Sequence, residues 1–236
     1  PLVDCNGDIF AVLAGRPQDD GYAEDADRAW AFIREQTDAE HWTARERRPH
    51  HRGTYIAMHI GISYGKGQQQ PGRLGLETHG LLAERLLNYG PVQRIAAFGS
   101  SAFQLWSPRL YAYYKDHLDA LYTQMPHLRQ NFICSIFPCA TFNIGDRVRM
   151  YKHRDSLNCP FGWCIITALG RFNPNRGGHI ILWETKMVVE FPHASTILIP
   201  SATITHSNVP VADGDLCTSF TQFCSGNLFR YVDNGY

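Results

Sequence analysis

Tyr151-Lys152-His153-Arg154-Asp155-Ser156, taken together with the distant His206 and the strand-like segments between them, is the stretch on which the reading of this chain turns. Successive side chains on a strand point to opposite faces, so His153 and Asp155, two apart, project from one face and can grip one ion. His206 adds a second imidazole. Two imidazoles and one carboxylate leave positions open on a metal, which is the donor pattern of non-haem Fe(II) sites.

His117-Leu118-Asp119 is an internal control, because it too reads His-x-Asp. It lies in a segment from Ser107 to Met125 with Ser107 as a helix cap, Pro108 at the first helical position, and an apolar stripe of Leu110, Tyr114, Leu118, Leu121 and Met125. On a helix, at about 100° per residue, positions two apart diverge and cannot chelate one ion. His117 is therefore expected at the surface or half-buried, and Asp119 as a solvated charge.

Apolar residues at 44% and charged residues at 19% describe an ordinary globular chain, and 236 residues suffice for a large core;. No apolar run reaches membrane-spanning length and the N-terminus lacks a signal-peptide pattern, so no membrane partner is expected. The chain opens on Pro1, which suggests a portion excised from a longer protein. A formal charge of +0 excludes binding to nucleic acid by bulk charge alone;. A local basic patch, Arg45-Glu46-Arg47-Arg48-Pro49-His50-His51-Arg52, could meet phosphates through Arg48 and Arg52, or could equally be a solvated loop. The cysteines Cys5, Cys134, Cys139, Cys159, Cys164, Cys217 and Cys224 contain no Cys-x-x-Cys pair, which points to reduced, buried thiols in an intracellular protein and away from structural zinc;.

Along the chain, Asn6-Gly7 followed by Ile9 to Leu13 predicts a hairpin, Tyr22 to Thr37 an amphipathic helix, and Tyr55 to Tyr64 a strand. Gly65 to Gly72 reads as a loop without P-loop spacing, Leu76 to Asn88 as a helix, and Ile95 to Phe98 as a short strand or turn. From Asn131 onward the texture becomes short β-branched or aromatic runs: Phe132–Phe142, Arg147–His153, Trp163–Leu169, His179–Trp183, Met187–Phe191, Thr196–Ile199, Thr203–Ser207 and Thr218–Phe223. Many short punctuated strands indicate a sandwich or barrel with N-terminal helices packed on one side. The expectation is one domain over 1–236, helix-rich to 130 and β-rich over 131–236.

A lone His-x-Asp arises readily by chance, but here the features follow in order. Beyond His153 and Asp155 come Gly177-Gly178-His179, Ser195-Thr196-Ile197-Leu198-Ile199-Pro200-Ser201, His206-Ser207-Asn208 and Ser219-Phe220-Thr221-Gln222, preceded by Ser100-Ser101-Ala102-Phe103, Ser135-Ile136-Phe137-Pro138 and Thr141-Phe142-Asn143. This series resembles the double-stranded β-helix of the Fe(II)/2-oxoglutarate dioxygenases, most closely the TET/JBP branch as found in mushroom-forming fungi. The resemblance covers most of the chain. It implies an α+β jelly-roll core and a nuclear enzyme that oxidises the methyl group of 5-methylcytosine or thymine in DNA, with RNA as a further possible polymer.

Carried over by position, the resemblance implies that His153, Asp155 and His206 bind Fe(II) and act in catalysis. In the family an Arg-x-Ser pair on the last core strand holds the distal carboxylate of 2-oxoglutarate. Here Ser219 fits the serine, but Cys217 stands in the arginine's place, and a thiol cannot replace a guanidinium fork. If His153 faces inward, strand parity turns Tyr151, Arg149 and Arg147 inward too, making Arg149 a substitute cation; Arg230, beyond the last strand, is the other. Asn143 and Asn208 could orient a cosubstrate or the ligands of the iron. Ser156 and Asn158, in the turn after the metal pair, are the preferred substrate-side positions, with Tyr151, Trp163 and Phe161 as candidates to sandwich an extruded base. Other readings stay open: an oxygenase of proteins or small molecules, one with a different cosubstrate, or a non-catalytic nucleic-acid-binding relative. Oligomeric state is not legible.

Overall fold

The near-continuous apolar runs of the C-terminal half become strands buried on both faces, as such runs must where each side of a sheet is covered. The computed structural model describes residues 1–65, 67–74 and 78–236. In chain order the strands are β1 (Leu2–Val3), β2 (Ile9–Gly15), β3 (Ile56–Ser63), β4 (Gly72–Leu74), β5 (Cys139–Ile144), β6 (Cys164–Arg171), β7 (Ile180–Leu182), β8 (Met187–Val189), β9 (Thr196–Ile199), β10 (His206–Asn208) and β11 (Leu216–Phe223). The helices are α1 (Asp20–Asp38), α2 (Gly80–Asn88), α3 (Gly90–Trp106), α4 (Pro108–Gln124) and α5 (Gly226–Asp233).

Among the described residues these strands make two antiparallel sheets, one of eight in the order β1-β2-β9-β6-β11-β5-β3-β4 and one of three in the order β10-β7-β8. β6 and β9 show how the layers form. Cys164, Ile166 and Ala168, with Ile197 and Ile199, face Ile180, Leu182 and Phe191 on the side of the small sheet. Their alternates Ile165 and Leu198 face the other way, into a cluster with Phe103, Leu118 and Phe229 of the helices;. Farther along the large sheet, Met58, Ile60, Phe142 and Phe220 carry α1, α2 and α3 through Trp30, Leu86 and Ile95. The result is an α+β double-stranded β-helix with its helices on the outer face of the large sheet. β1 to β4, from the helix-rich part of the sequence, complete that sheet at its two edges.

α4 keeps its apolar stripe, with Tyr114, Leu118 and Leu121 buried. The control pair diverges on it: His117 reaches Asp233 of α5 at 2.9 Å, whereas Asp119 pairs with Lys115 in solvent;.

Several expectations are corrected. Ile95 to Phe98 is neither strand nor turn but the middle of α3, which Pro91 opens and whose buried side carries Val92, Ile95, Ala96, Gly99 and Phe103;. Phe132 to Phe142 is strand only from Cys139, and the stretch from Arg147 to His153 makes isolated bridges rather than a ladder. Cys5 and Cys134 are exposed, while the other five thiols are buried as expected. The helix expected from Leu76 begins at Gly80, with Thr78 and His79 in a turn before it; Leu76 itself lies outside the described residues, as does Lys66 of the expected loop.

Candidate metal centre and the cavity behind it

His153 and His206 face each other as an antiparallel bridge and exchange both backbone hydrogen bonds, His153 N–H to His206 O at 3.1 Å and the reverse at 2.9 Å. Such a pair holds its two side chains on one side of the bridge. The ring centroids are 4.3 Å apart. Asp155 is fixed beside them by donating its N–H to Ser201 O at 2.9 Å. Its carboxylate oxygens lie 3.7 Å from His153 Nε2 and 3.9 Å from His206 Nε2. One ligand atom from each residue lies within 4.8 Å of the others, close enough to be gathered by one ion.

The tautomers favour that ion. His153 Nδ1 sits 2.7 Å from Tyr151 O, and His206 Nδ1 3.0 Å from Ile204 O. A carbonyl oxygen only accepts, so each Nδ1 carries the proton and donates it, leaving a bare Nε2 aimed at the carboxylate. Burial, reinforced by the neighbouring His206, pushes His153 down to about 4, so its ring is neutral at ordinary pH, as a metal ligand must be;. Two lone pairs turned toward a carboxylate repel unless a cation stands between them.

Part of that need is met by Arg52, whose Nη2 lies 2.9 Å from Asp155 Oδ1. The contact is an ion pair without hydrogen-bond alignment: Oδ1 is buried with no hydrogen-bond partner, and so is Arg52 Nε. A buried carboxylate with one oxygen beside each imidazole Nε2, and with Oδ1 lacking a hydrogen bond, fits a divalent transition metal with open coordination positions;.

Behind His206 lies a small cavity of about 30 Å³, open on one side, lined by Val148, Met150, Ile166, Ile180, Phe191 and Cys217 together with residues of β10 and β11. Its surface is mostly aliphatic, and among its lining residues there is no Lys or Arg. The Gly177-Gly178 pair gives entry to β7 beside it. Gly177 approaches Pro210 O so closely that a Cβ would stand 2.4 Å away, and Gly178 turns the chain at φ +78°;.

The other residues singled out from the sequence fall in different places. Ser219 and Asn143 are cross-strand neighbours, the Asn143 amide donating to Ser219 Oγ at 2.8 Å. Cys217 lies in the cavity, and burial pushes its thiol up to about 12. The parity of the stretch before His153 runs opposite to expectation: Val148 and Met150 line the cavity, while Arg147, Arg149 and Tyr151 are exposed. Arg149 stacks over Tyr151 at 5.6 Å. Arg230 is exposed on α5. Asn208 accepts from Met150 N–H at 2.5 Å and donates to Val148 O at 3.1 Å, so its amide is tied to the backbone of that stretch. Asn158 donates to Ser201 Oγ at 3.0 Å, whereas Ser156 and Arg48 are exposed. Trp163 is core, packed against Phe103 with centroids 6.1 Å apart, and Phe161 is exposed.

No protein-family model matches the sequence, and no curated protein matches it. Among solved structures, NgTET1 in complex with 5mC DNA superimposes with a TM-score of 0.65 at 13% identity, over 94% of this chain and 74% of that one. The two chains share a fold. A Pseudomonas putida prolyl-4-hydroxylase matches at a TM-score of 0.43 and 13% identity, over 91% of each chain. A 2OG-Fe(II) oxygenase family oxidoreductase from Burkholderia pseudomallei matches at 0.43 and 15%, over 89% of this chain and 93% of that one.

Two features escape sequence reasoning. Arg52 reaches Asp155 because the turn at 50–53 docks on the metal-bearing stretch, Tyr151 N–H donating to Arg52 O at 2.8 Å. Gly53 permits the docking, lying so close to Arg149 O that a Cβ would stand 2.4 Å from it. Trp183 is the second: 41% exposed, it carries Lys152 over its face at 4.1 Å and donates to Ser207 Oγ at 3.1 Å. Next to it Arg154 is held by Glu184 and by Thr205 Oγ1.

Proposed function

We propose that this protein is a non-haem Fe(II) oxygenase that uses a 2-oxo acid of the 2-oxoglutarate class and oxidises a methyl group on a nucleobase in DNA, of the 5-methylcytosine or thymine type. The observation that carries the reading is the His153, Asp155 and His206 centre, with both imidazoles locked as Nε2 donors and a carboxylate oxygen left without a hydrogen bond. The donor set fits Fe(II). Iron held this way supplies the activation of dioxygen needed to oxidise an unactivated C–H bond.

The chain's own residues do the rest. His153 and His206 contribute Nε2 donors, and Asp155 the carboxylate. Arg52 keeps that carboxylate turned inward through its 2.9 Å ion pair. Tyr151, whose carbonyl holds His153, and Trp183, bonded to Ser207, are both exposed and carry the cations Arg149 and Lys152 on their rings. Bases stack on such faces and phosphates meet such cations, independently of the neutral overall charge. Ser156 stands exposed between the metal pair and Leu157, and Arg48 is exposed on the loop that carries Arg52; both are assigned to the substrate side. Asn158 and Asn208 serve that side by holding the backbone. The likeness in fold to NgTET1, solved with 5mC DNA, supports DNA as substrate and with it a nuclear site of action. The residues present do not fit the distal carboxylate of 2-oxoglutarate itself, since the cavity offers it no cation.

The test is nucleoside mass spectrometry of DNA incubated with Fe(II), dioxygen and a panel of 2-oxo acids. The unaltered protein is expected to oxidise the methylated base, and His153→Ala and Asp155→Asn to leave it intact. Equal turnover by His153→Ala would refute the assignment.

A further inference from the structure

The cavity behind the candidate metal centre has a chemical character that the proposed reaction must accommodate. It begins at His206, itself a metal-ligand candidate, and its walls are Val148, Met150, Ile166, Ile180 and Phe191. Its few polar groups are neutral and each already holds a protein partner. Ser219 Oγ accepts from Asn143 at 2.8 Å, Ser207 Oγ accepts from Trp183 at 3.1 Å, and the Asn208 amide bridges Met150 N–H and Val148 O. Thr218 Oγ1 is turned to Leu169 O at 3.5 Å. Cys217 brings a neutral thiol. A carboxylate pushed in here would give up its hydration and gain no counter-ion, only the O–H groups of Ser219 and Ser207, which cannot offset the loss of water around a full charge.

The nearby cations are committed elsewhere. Arg147 is closest in the fold, its backbone bridging to Cys217, but its guanidinium binds Asp213 at 2.6 Å and Val211 O at 2.8 Å. Arg149 lies over Tyr151 in solvent, Arg52 is paired with Asp155, and Arg230 is exposed on α5.

We infer that the cavity takes the tail of a 2-oxo acid whose tail is uncharged, aliphatic or aromatic, in preference to the dicarboxylate 2-oxoglutarate. The inference rests on the proposed 2-oxo acid-dependent oxygenase and specifies its cosubstrate. The keto-carboxylate end is common to both kinds of acid and is left to the metal. Selection falls on the tail, where aliphatic walls stabilise methylene or phenyl groups and penalise a second charge.

The experiment is an anaerobic titration of the Fe(II) protein with 2-oxoglutarate, 4-methyl-2-oxopentanoate and phenylpyruvate, following the visible metal-to-ligand charge-transfer band. Calorimetry on the Zn(II) protein repeats it without iron. The expected result is that at least one uncharged-tail acid binds tenfold or more tighter than 2-oxoglutarate, and that Cys217→Arg reverses the order. Equal or tighter binding of 2-oxoglutarate by the unaltered protein overturns the inference, whether or not Cys217→Arg folds. Loss of 2-oxoglutarate binding in Arg147→Ala would also overturn it, by showing that this arginine turns inward. If no 2-oxo acid perturbs the iron-loaded protein at all, the oxygenase reading itself falls.

Discussion

Asn208→Ala tests whether this residue is a ligand-binding group or a clasp. Its side-chain amide joins β10 to the stretch leading to His153, accepting from Met150 N–H at 2.5 Å and donating to Val148 O at 3.1 Å. Val148 and Met150 both line the cavity, so the two backbone groups freed by truncation have little water to turn to. At about 1–2 kcal/mol for each group left unpaired, the variant should lose about 2–4 kcal/mol. For a chain of 236 residues, where 1 kcal/mol moves Tm by about 2–4 °C, the metal-free protein should melt roughly 4–16 °C lower;. Metal affinity should fall with it, because the same stretch positions His153. Asn208→Asp, which keeps the acceptor and loses the donor, should fall in between. The assay is a thermal melt followed by circular dichroism, with and without Mn(II). A Tm within about 1 °C of the unaltered protein, with only substrate or cosubstrate binding reduced, would refute the clasp.

Three further outcomes are expected. Mn(II) or Fe(II) at a hundred times its dissociation constant should stabilise the protein by about 2.7 kcal/mol, and His206→Ala should abolish the rise in Tm; a rise of equal size in the variant would place the metal elsewhere. His79 is buried with its two ring nitrogens 3.0 Å from Glu40 and 2.8 Å from Glu46. Burial alone would lower its pKa, but the two carboxylates prevail and raise it above the usual histidine value. The stability this supplies is fully present below the unfolded value of about 6.5 and is lost as pH rises through the folded value. Urea midpoints between pH 5.5 and 8.5 should therefore show a downward slope that His79→Gln flattens, and an unchanged slope would contradict it. Gly178→Ala, at φ +78° and with a Cβ that would meet the Phe172 ring at 2.7 Å, should cost about 1–3 kcal/mol, read from the same melts; no loss would mean that β7 can shift freely;.

What was legible in the sequence was what depends on local pattern. β6 and β9 could be read because both of their faces are buried, which leaves an apolar run with few interruptions. The helical periodicity around His117 correctly removed that pair from the metal search. α3 was misread at Ile95 to Phe98 because four apolar residues carry no period of their own. The small residues after them hid the helix further. Gly99 is required there because Ile165 of β6 packs where its Cβ would be, at 2.8 Å, a reason that exists only in the folded chain. The orientation of Arg149 failed for a related reason. Parity holds along a ladder, but the stretch from Arg147 to His153 forms none: it is fastened at separate points, to Cys217, to the Asn208 side chain, to Arg52 and to His206, and turns between them. The Arg52–Asp155 pair and the Asn143–Ser219 bond join residues far apart in sequence, and no local signal marks either.

The central claim is that the centre inserts oxygen from dioxygen into the methyl group of a base in DNA. The most direct measurement supplies ¹⁸O₂ to the Fe(II) protein with methylated DNA and the best-binding 2-oxo acid, digests the DNA, and weighs the nucleosides. The account predicts a hydroxymethyl base carrying the heavy isotope, absent with Asp155→Asn. Consumption of the 2-oxo acid with every base left unlabelled would contradict it and assign the chemistry to another substrate.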